Sequence, residues 1–272
     1  MTNFVSLLLL FPVGGAADQV GDAKPDAHGF LTHPVESAFQ GGPTEIKVLL
    51  PDRLEKGKKY PVVYVLPVEA GNGTQWGNGL LEVKKLDLHN KLGLIFVLPT
   101  FSHLPWYADH PTDAKSRQET YFLKVVVPFV ESKYPVVAEP GGRLLLGFSK
   151  SGWGAFALLL RHPDLFGRAA AWDAPLGMDK PNRFGMADIF GTQENFEKFR
   201  MTKLLEARSK ELGKSPRLAI MGYSNFRTHH VESHELMNRL GIAHEYRDEK
   251  MSPHTWHSGW VEPGMRWLVT GK

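Results

Sequence analysis

Short runs with strand character, most of them apolar and rich in β-branched residues, recur along the chain from residue 45 onward. Three of the runs are followed directly by proline, which ends a strand. Continuous apolar runs, without alternation of polar positions, are typical of strands buried on both faces of a parallel sheet. The runs are residues 45–50, 60–66, 92–98, 143–148, 168–172, 217–221 and 243–247.

Stretches with helical periodicity separate these runs. Strands that alternate with helices predict the α/β class, with a mostly parallel central sheet and helices on both faces. Residues 28–40 add antiparallel strands at the sheet edge, so one domain is predicted over residues 28–272. The predicted helices are residues 118–133, 152–161, 194–212 and 229–240.

The N-terminal residues resemble a signal peptide, because an apolar stretch at residues 4–13 is followed by small residues. This pattern predicts that residues 1–27 are a leader or a flexible segment, and that the protein is exported to the periplasm or the medium. No Lys or Arg precedes the stretch, so a cytoplasmic protein with a buried N-terminal segment is the alternative. No later stretch is apolar enough to span a bilayer.

Composition excludes several classes of protein. A chain of 272 residues can bury a large core without disulfides. It contains no cysteine, so disulfides, thiolate zinc sites and cysteine nucleophiles are excluded. The formal net charge is +3 and the basic residues are scattered, so no nucleic-acid partner is predicted.

The most informative segment is residues 143–155, in which an apolar run leads through Gly-Phe-Ser-Lys-Ser-Gly into a helical pattern. A serine at such a turn, here Ser149, has a strained backbone and an exposed hydroxyl, as hydrolase nucleophiles do. The free N–H groups of the helix start also favour an oxyanion there. Ser151 replaces the second glycine of the G-x-S-x-G motif and is small enough for the turn.

Two alternatives apply to this segment. An ordinary strand–loop–helix junction with a serine cap has a similar sequence. Ser151 is the other candidate nucleophile, but no glycine stands two positions before it. The apolar run before Ser149 and the glycines after it favour Ser149 as the nucleophile.

Further motifs lie in a consistent order along the chain. They are residues 60–66, a Trp-Tyr-x-Asp loop at 105–109, residues 118–128, an R-x-P-x-x-F segment at 161–166, and residues 241–247 with 253–256. With these motifs the chain resembles the putative-esterase family of α/β-hydrolases, which includes feruloyl esterases, S-formylglutathione hydrolases and mycolyltransferases. The resemblance implies the α/β-hydrolase fold and acyl-enzyme chemistry without a cofactor. It leaves the acyl group and the alcohol open.

The general base is expected in the loop after the last strand, because the chain order in this class is Ser, acid, His. His254 lies there in a Pro-His-Thr-Trp segment, which resembles the H-x-W motif of the family. His254 is therefore the predicted base, and His257, on the same loop, is the alternative.

The acid departs most from the family pattern. Relatives carry it after the seventh strand, here residues 217–221, but no Asp or Glu stands between residues 221 and 231. Asp173 follows the run at 168–172, at the edge where ligands bind in open α/β sheets, and it is the predicted acid. Asn225 is the alternative, because an asparagine can orient a histidine through a hydrogen bond.

The oxyanion hole is predicted to consist of backbone amides. One donor is the N–H of Lys150, which follows the nucleophile. The second is the N–H of Val68 or Glu69, in the loop after the 60–66 run. Many relatives have His-Gly-Gly in this loop, but a backbone donor does not depend on the side chain. The Glu69 carboxylate would disfavour an oxyanion unless it points away or pairs with a cation.

These residues predict a serine carboxylesterase that works through an acyl-enzyme on Ser149 and acts on a small-molecule or carbohydrate-linked ester. One alternative is an acyltransferase of the same family, which differs only in the acceptor alcohol. The other is a catalytically inactive fold that binds carbohydrate or protein; the altered turn and the displaced acid favour it, whereas the presence of both Ser149 and His254 opposes it. No cofactor or metal site is predicted, and the oligomeric state is left open.

Overall fold

A ten-stranded mixed sheet forms the centre of the computed structural model, which describes residues 18–272. The strand order is β1-β3-β4-β6-β5-β7-β8-β9-β10, and β2 pairs with β3. Neighbouring strands along the path β6-β5-β7-β8-β9-β10 run parallel to each other. Each of the strands β1 to β4 runs antiparallel to the strands with which it pairs. The predicted α/β fold with a mostly parallel sheet is confirmed. The strands are β1 (Gln19–Val20), β2 (Lys24–Pro25), β3 (Leu31–Glu36), β4 (Thr44–Leu49), β5 (Val62–Val65), β6 (Ile95–Pro99), β7 (Arg143–Phe148), β8 (Arg168–Trp172), β9 (Leu218–Tyr223) and β10 (His244–Met251).

Helices cover both faces of this sheet. The prediction of one continuous helix at 194–212 is wrong. Arg200 is extended (ψ 123°) and separates two shorter helices. The predicted helix at 118–133 is present but contains a π-helical turn at Phe122–Val126. The helices are α1 (Gly79–Lys85), α2 (Leu88–Lys91), α3 (Gln118–Tyr121), α4 (Val127–Lys133), α5 (Ser149–Arg161), α6 (Ala187–Phe190), α7 (Gln193–Glu197), α8 (Met201–Arg208), α9 (Arg227–Arg239) and α10 (Val261–Thr270).

The core consists of two apolar clusters, one on each face of the sheet. Along β5, Val62 and Tyr64 join the cluster beneath α5 and α8, whereas Val63 and Val65 join the cluster beneath α1 and α10. Successive side chains of a strand point to opposite faces, so both sides of β5 are buried. This explains why its sequence is apolar without alternation.

The first strands lie within the predicted N-terminal segment. β1 and β2 pair with β3, so the chain is part of the sheet from Gln19 onward. The rest of the predicted leader, residues 1–17, lies outside the described residues, and export stays a prediction. Across residues 18–272, no helix combines the length and the apolar character needed to cross a membrane.

The predicted site residues all follow strands at one edge of the sheet. Ser149 comes directly after β7 and Asp173 directly after β8, while His254 follows β10 by a short loop. Val68 and Glu69 follow β5 in the same way. Because these strands are parallel, the loops after them meet at the carboxyl edge, where open α/β sheets bind ligands.

Candidate active site

Ser149 occupies a sharp turn between β7 and α5. Its φ is +53°, a strained conformation for a residue with a side chain. The turn requires glycine at position 147, because a Cβ there would lie 2.2 Å from the carbonyl oxygen of Ser151. The turn therefore brings the end of β7 against the start of α5 and holds Ser149 at the edge of the sheet.

Ser151 has a different role in this turn. It is fully buried, and its hydroxyl accepts from the N–H of Phe148 (3.0 Å) and donates to the carbonyl of the same residue (2.9 Å). Its side chain thus closes the turn that carries Ser149. A serine at this position replaces the glycine of the motif without disturbing the turn.

Asp173 and His254 meet beside this turn. Nδ1 of His254 lies 2.5 Å from Oδ2 of Asp173, and Oδ1 of Asp173 accepts from the three amides of residues 224–226 at 2.7, 2.8 and 2.9 Å. Both oxygens of the carboxylate are therefore held. A histidine that donates from Nδ1 to a carboxylate keeps Nε2 free to accept a proton.

The charge of Asp173 is stabilised despite its burial. Burial alone would raise the pKa of this carboxyl, but the hydrogen bonds from His254 and from the amides of Ser224 and Phe226 outweigh that effect. The pKa of Asp173 is therefore below its usual value, and the carboxylate stays ionised at neutral pH. An ionised carboxylate is what a histidine needs when it becomes cationic.

The two alternative residues have other partners. Asn225 contributes its backbone N–H to Asp173, and its side chain lines the cleft described below. His257 places Nδ1 2.8 Å from Oε2 of Glu82 on α1, and its side chain is 49% exposed. The structure therefore brings His254 to Asp173, and it brings neither alternative into that pair.

Replacing His257 by alanine is expected to lower kcat for ester hydrolysis less than tenfold, because its ring contacts Glu82 rather than Asp173 and it does not line the cleft that Ser149 and His254 share. Steady-state kinetics of His257→Ala and His254→Ala on the same ester compare the two positions. A larger loss in His257→Ala would transfer the role of base to His257.

His230, on α9, fixes the backbone next to Asp173. Its Nε2 accepts from the N–H of Ala174 at 2.8 Å, and it is 2% exposed. Asp173 has a φ of +43°, so this bond fixes the backbone directly after a strained residue. Burial lowers the pKa of His230 to about 4, which keeps the ring neutral and able to accept.

This histidine makes the fold sensitive to acid. The ring titrates near 6.5 in the unfolded chain and at about 4 in the folded one, so below pH 6.5 the unfolded state binds the extra proton. The free energy of unfolding is expected to fall from pH 6.5 to 4, with about 3 kcal/mol of the loss due to His230. His230→Gln keeps an acceptor and removes the titration. Denaturant unfolding at pH 7.5 and 4.5 tests this, and an equal loss in both proteins would contradict it.

The predicted oxyanion donors follow two adjacent strands, Lys150 after β7 and Val68 and Glu69 after β5. Lys150 lines the cleft described below, whereas Val68 and Glu69 line a neighbouring cavity. The N–H of Lys150 belongs to the first turn of α5, where amides have no partner within the helix. Within residues 18–272, neither Val68 nor Glu69 donates its N–H to another protein group. Both segments therefore offer free backbone donors, but the role of these amides stays a prediction.

Tyr107 connects the loop after β5 to α5. Its hydroxyl donates to the carbonyl of Pro67 (2.6 Å), and its ring lies against α5 at Gly154, where a Cβ would come within 2.0 Å of it. Burial raises the pKa of this phenol well above its usual value, so it remains a donor. The Trp-Tyr-x-Asp motif signalled this loop, but its contact with residue 67 could not be predicted from spacing.

One cleft, called here the Ser149 cleft, opens at this edge and has a volume of about 440 Å³. Trp76 forms one wall and packs edge-on against His254, with ring centroids 5.0 Å apart. The carbonyl of Trp76 also accepts from the N–H of Trp256 (2.9 Å), which ties the histidine loop to this wall. The lining consists of Trp76, Ser149, Lys150, Pro175, Arg183, Phe184, Asn225, Phe226 and His254.

Comparison with known proteins finds one matching family model and an esterase relative. Residues 95–224 match the family model described as "Putative esterase". The resemblance predicted from the sequence is confirmed. The putative-esterase match extends from β6 through β9, so it includes Ser149 and Asp173 and stops before His254. An esterase of Mycobacterium tuberculosis is 28% identical over 137 residues, which are 49% of this chain and 29% of that protein.

Solved structures support the α/β-hydrolase fold. A ferulic acid esterase is 24% identical, with a TM-score of 0.68 over 88% of this chain and 96% of that one. An S-formylglutathione hydrolase from Staphylococcus aureus is 16% identical, with a TM-score of 0.71 over 89% and 99%. A fluorophosphonate-binding serine hydrolase of the same organism is 17% identical, with a TM-score of 0.73 over 89% and 98%. At these identities the likeness concerns the fold alone.

Proposed function

We propose that the protein is a serine carboxylesterase that forms an acyl-enzyme on Ser149. The observation that carries the proposal is the hydrogen bond between His254 and Asp173 beside a strained serine, with Ser149 and His254 lining one cleft. Nucleophile, acid and base then occur in the chain order of α/β-hydrolases. The match to the esterase family and the esterase name of the mycobacterial relative also support it.

The residues divide the reaction between them. Oγ of Ser149 attacks the ester carbonyl while Nε2 of His254 takes its proton, and Asp173 stabilises the resulting imidazolium. Backbone amides of Lys150 and of Val68 or Glu69 donate to the oxyanion. His254 returns the proton to the leaving alcohol, and a water molecule then releases the acid by the same steps in reverse.

Hydrolysis of 4-nitrophenyl acetate tests this proposal. We expect steady release of nitrophenol and acetate by the intact chain, because a cleft of about 440 Å³ is within the size range of small-molecule sites. Ser149→Ala is the matched control for background hydrolysis. Equal rates with both proteins, on this ester and on a panel of longer acyl chains, would overturn the proposal.

A further inference from the structure

Arg183, an exposed residue on the loop between β8 and α6, lines the Ser149 cleft. The next residue fixes this part of the loop, since Phe184 has a φ of +55° and its carbonyl accepts from Nε1 of Trp106 at 3.0 Å. The Phe184 ring packs edge-on against Phe226, with centroids 5.8 Å apart, although it is 47% exposed. The backbone and the neighbouring ring thus hold the loop over the cleft.

The guanidinium of Arg183 has no ion-pair partner among residues 18–272. Eight other arginines of this region lie within 4.0 Å of a carboxylate. A cation without a partner at the mouth of a cleft is available to a ligand. His229 lies near Arg183 and has a pKa lowered chiefly by burial, so it adds no fixed positive charge at neutral pH.

Lys150, the residue after Ser149, adds a second cation to the lining of the cleft. It is partly buried, and burial lowers the pKa of its ammonium while the charge of Glu69 opposes that shift. The lining of the cleft includes Lys150 and Arg183 but no Asp or Glu. A concave site lined by one sign of charge concentrates ligands of the opposite sign.

We propose that the ester bound in the Ser149 cleft carries an anionic group, which Arg183 holds while the ester carbonyl lies at Ser149. This inference rests on the proposed esterase function and names its substrate class. The aromatic rings of Trp76, Phe184 and Phe226 contact the apolar part of the molecule. The anionic group lies on either the acyl or the alcohol side, and the two sides are tested separately.

Two matched pairs of esters test this. For the acyl side, 4-nitrophenyl hydrogen succinate is compared with 4-nitrophenyl methyl succinate. For the alcohol side, 4-acetoxybenzoate is compared with its methyl ester. The readout is the ratio of kcat/KM for the anionic ester to that for the neutral ester. Comparing this ratio between the wild-type protein and a variant cancels the intrinsic reactivity of the esters.

In one of the pairs, Arg183→Gln is expected to lower the ratio about tenfold, the scale of a hydrogen bond to a charged group. Arg183→Lys is expected to lower the ratio less than Arg183→Gln does, because the lysine ammonium keeps the positive charge but lacks the planar pair of donors of the guanidinium. Added salt lowers the ratio of the wild-type protein. Arg53→Gln removes an exposed arginine outside the cleft and leaves the ratio unchanged.

The outcomes separate the two proposals. Hydrolysis with the same ratio in Arg183→Gln and the wild-type protein, for both pairs, overturns this inference and leaves the esterase proposal intact. No hydrolysis of any of the four esters, together with no fluorophosphonate adduct on Ser149, overturns the esterase proposal and this inference with it.

Discussion

Replacing Ser149 by alanine is expected to lower kcat for ester hydrolysis by about 10⁴ to 10⁶, because the variant has no oxygen to form the acyl-enzyme. The alanine side chain fits the turn, since only the hydroxyl is lost from a residue that already has a Cβ. The fold is therefore expected to survive. Initial rates on 4-nitrophenyl acetate measure the loss, and thermal unfolding confirms that the variant is folded.

Ser151→Ala is the matched control for this experiment. It removes a buried hydroxyl that bonds both backbone groups of Phe148, so a loss of about 1–3 kcal/mol of stability is expected. Its kcat is expected to stay much closer to that of the wild-type protein. If Ser151→Ala lost as much activity as Ser149→Ala while remaining folded, Ser149 would not be distinguished as the nucleophile.

Replacing Asp173 by asparagine is expected to cost about 10⁴ in kcat. The carboxamide oxygen can still accept from the amides of residues 224–226, so the loop after β9 stays in place. The carboxamide NH₂ then faces Nδ1 of His254 and donates to it, which puts the ring proton on Nε2. In that tautomer His254 cannot take the proton of Ser149.

Asn225→Ala is the control, because Asn225 contacts Asp173 through its backbone, which the substitution retains. We expect it to change kcat less than tenfold. The rates of Asp173→Asn and Asn225→Ala, measured with unfolding curves of both, decide between the two residues. An intact kcat in Asp173→Asn with a severe loss in Asn225→Ala would assign the orienting role to Asn225.

The strands from β3 onward could be predicted from sequence because each is signalled by its own residues, whereas β1 and β2 lie in the segment predicted as a leader or flexible. The runs at 143–148 and 168–172 coincide with β7 and β8 in full. The helix at 194–212 could not be predicted correctly, because a residue in the extended conformation interrupts a pattern that is periodic on both sides. α10 was missed altogether.

At the candidate site, the position of the acid could be predicted from the sequence, but its hydrogen-bond partners could not. The loop after β9 has no carboxylate, and it provides three amides instead. β8 and β9 are adjacent in the sheet, so the carboxylate of Asp173 reaches these amides and the histidine loop from the neighbouring strand. The end of a strand can be read from sequence, and this favoured Asp173. The amides that hold its charge depend on a turn whose shape the sequence does not specify.

Hydrogen bonds between residues far apart in the chain could not be predicted from the sequence patterns. The bond from His230 to the N–H of Ala174 joins residues 56 positions apart, and the bond from Tyr107 to Pro67 joins residues 40 positions apart. Such contacts depend on how α9 and the loop after β6 pack against the sheet. The same holds for Arg183, whose position over the cleft follows from the fold of its loop rather than from its neighbours in sequence.

The central claim is that Ser149 is the nucleophile, and the most direct measurement is the site of covalent modification by a fluorophosphonate. The intact protein is incubated with the reagent, digested, and mapped by mass spectrometry. The account predicts a single adduct, on the peptide that contains Ser149, and its absence from Ser149→Ala. An adduct that persists in Ser149→Ala, or no adduct on the folded wild-type protein, would contradict it.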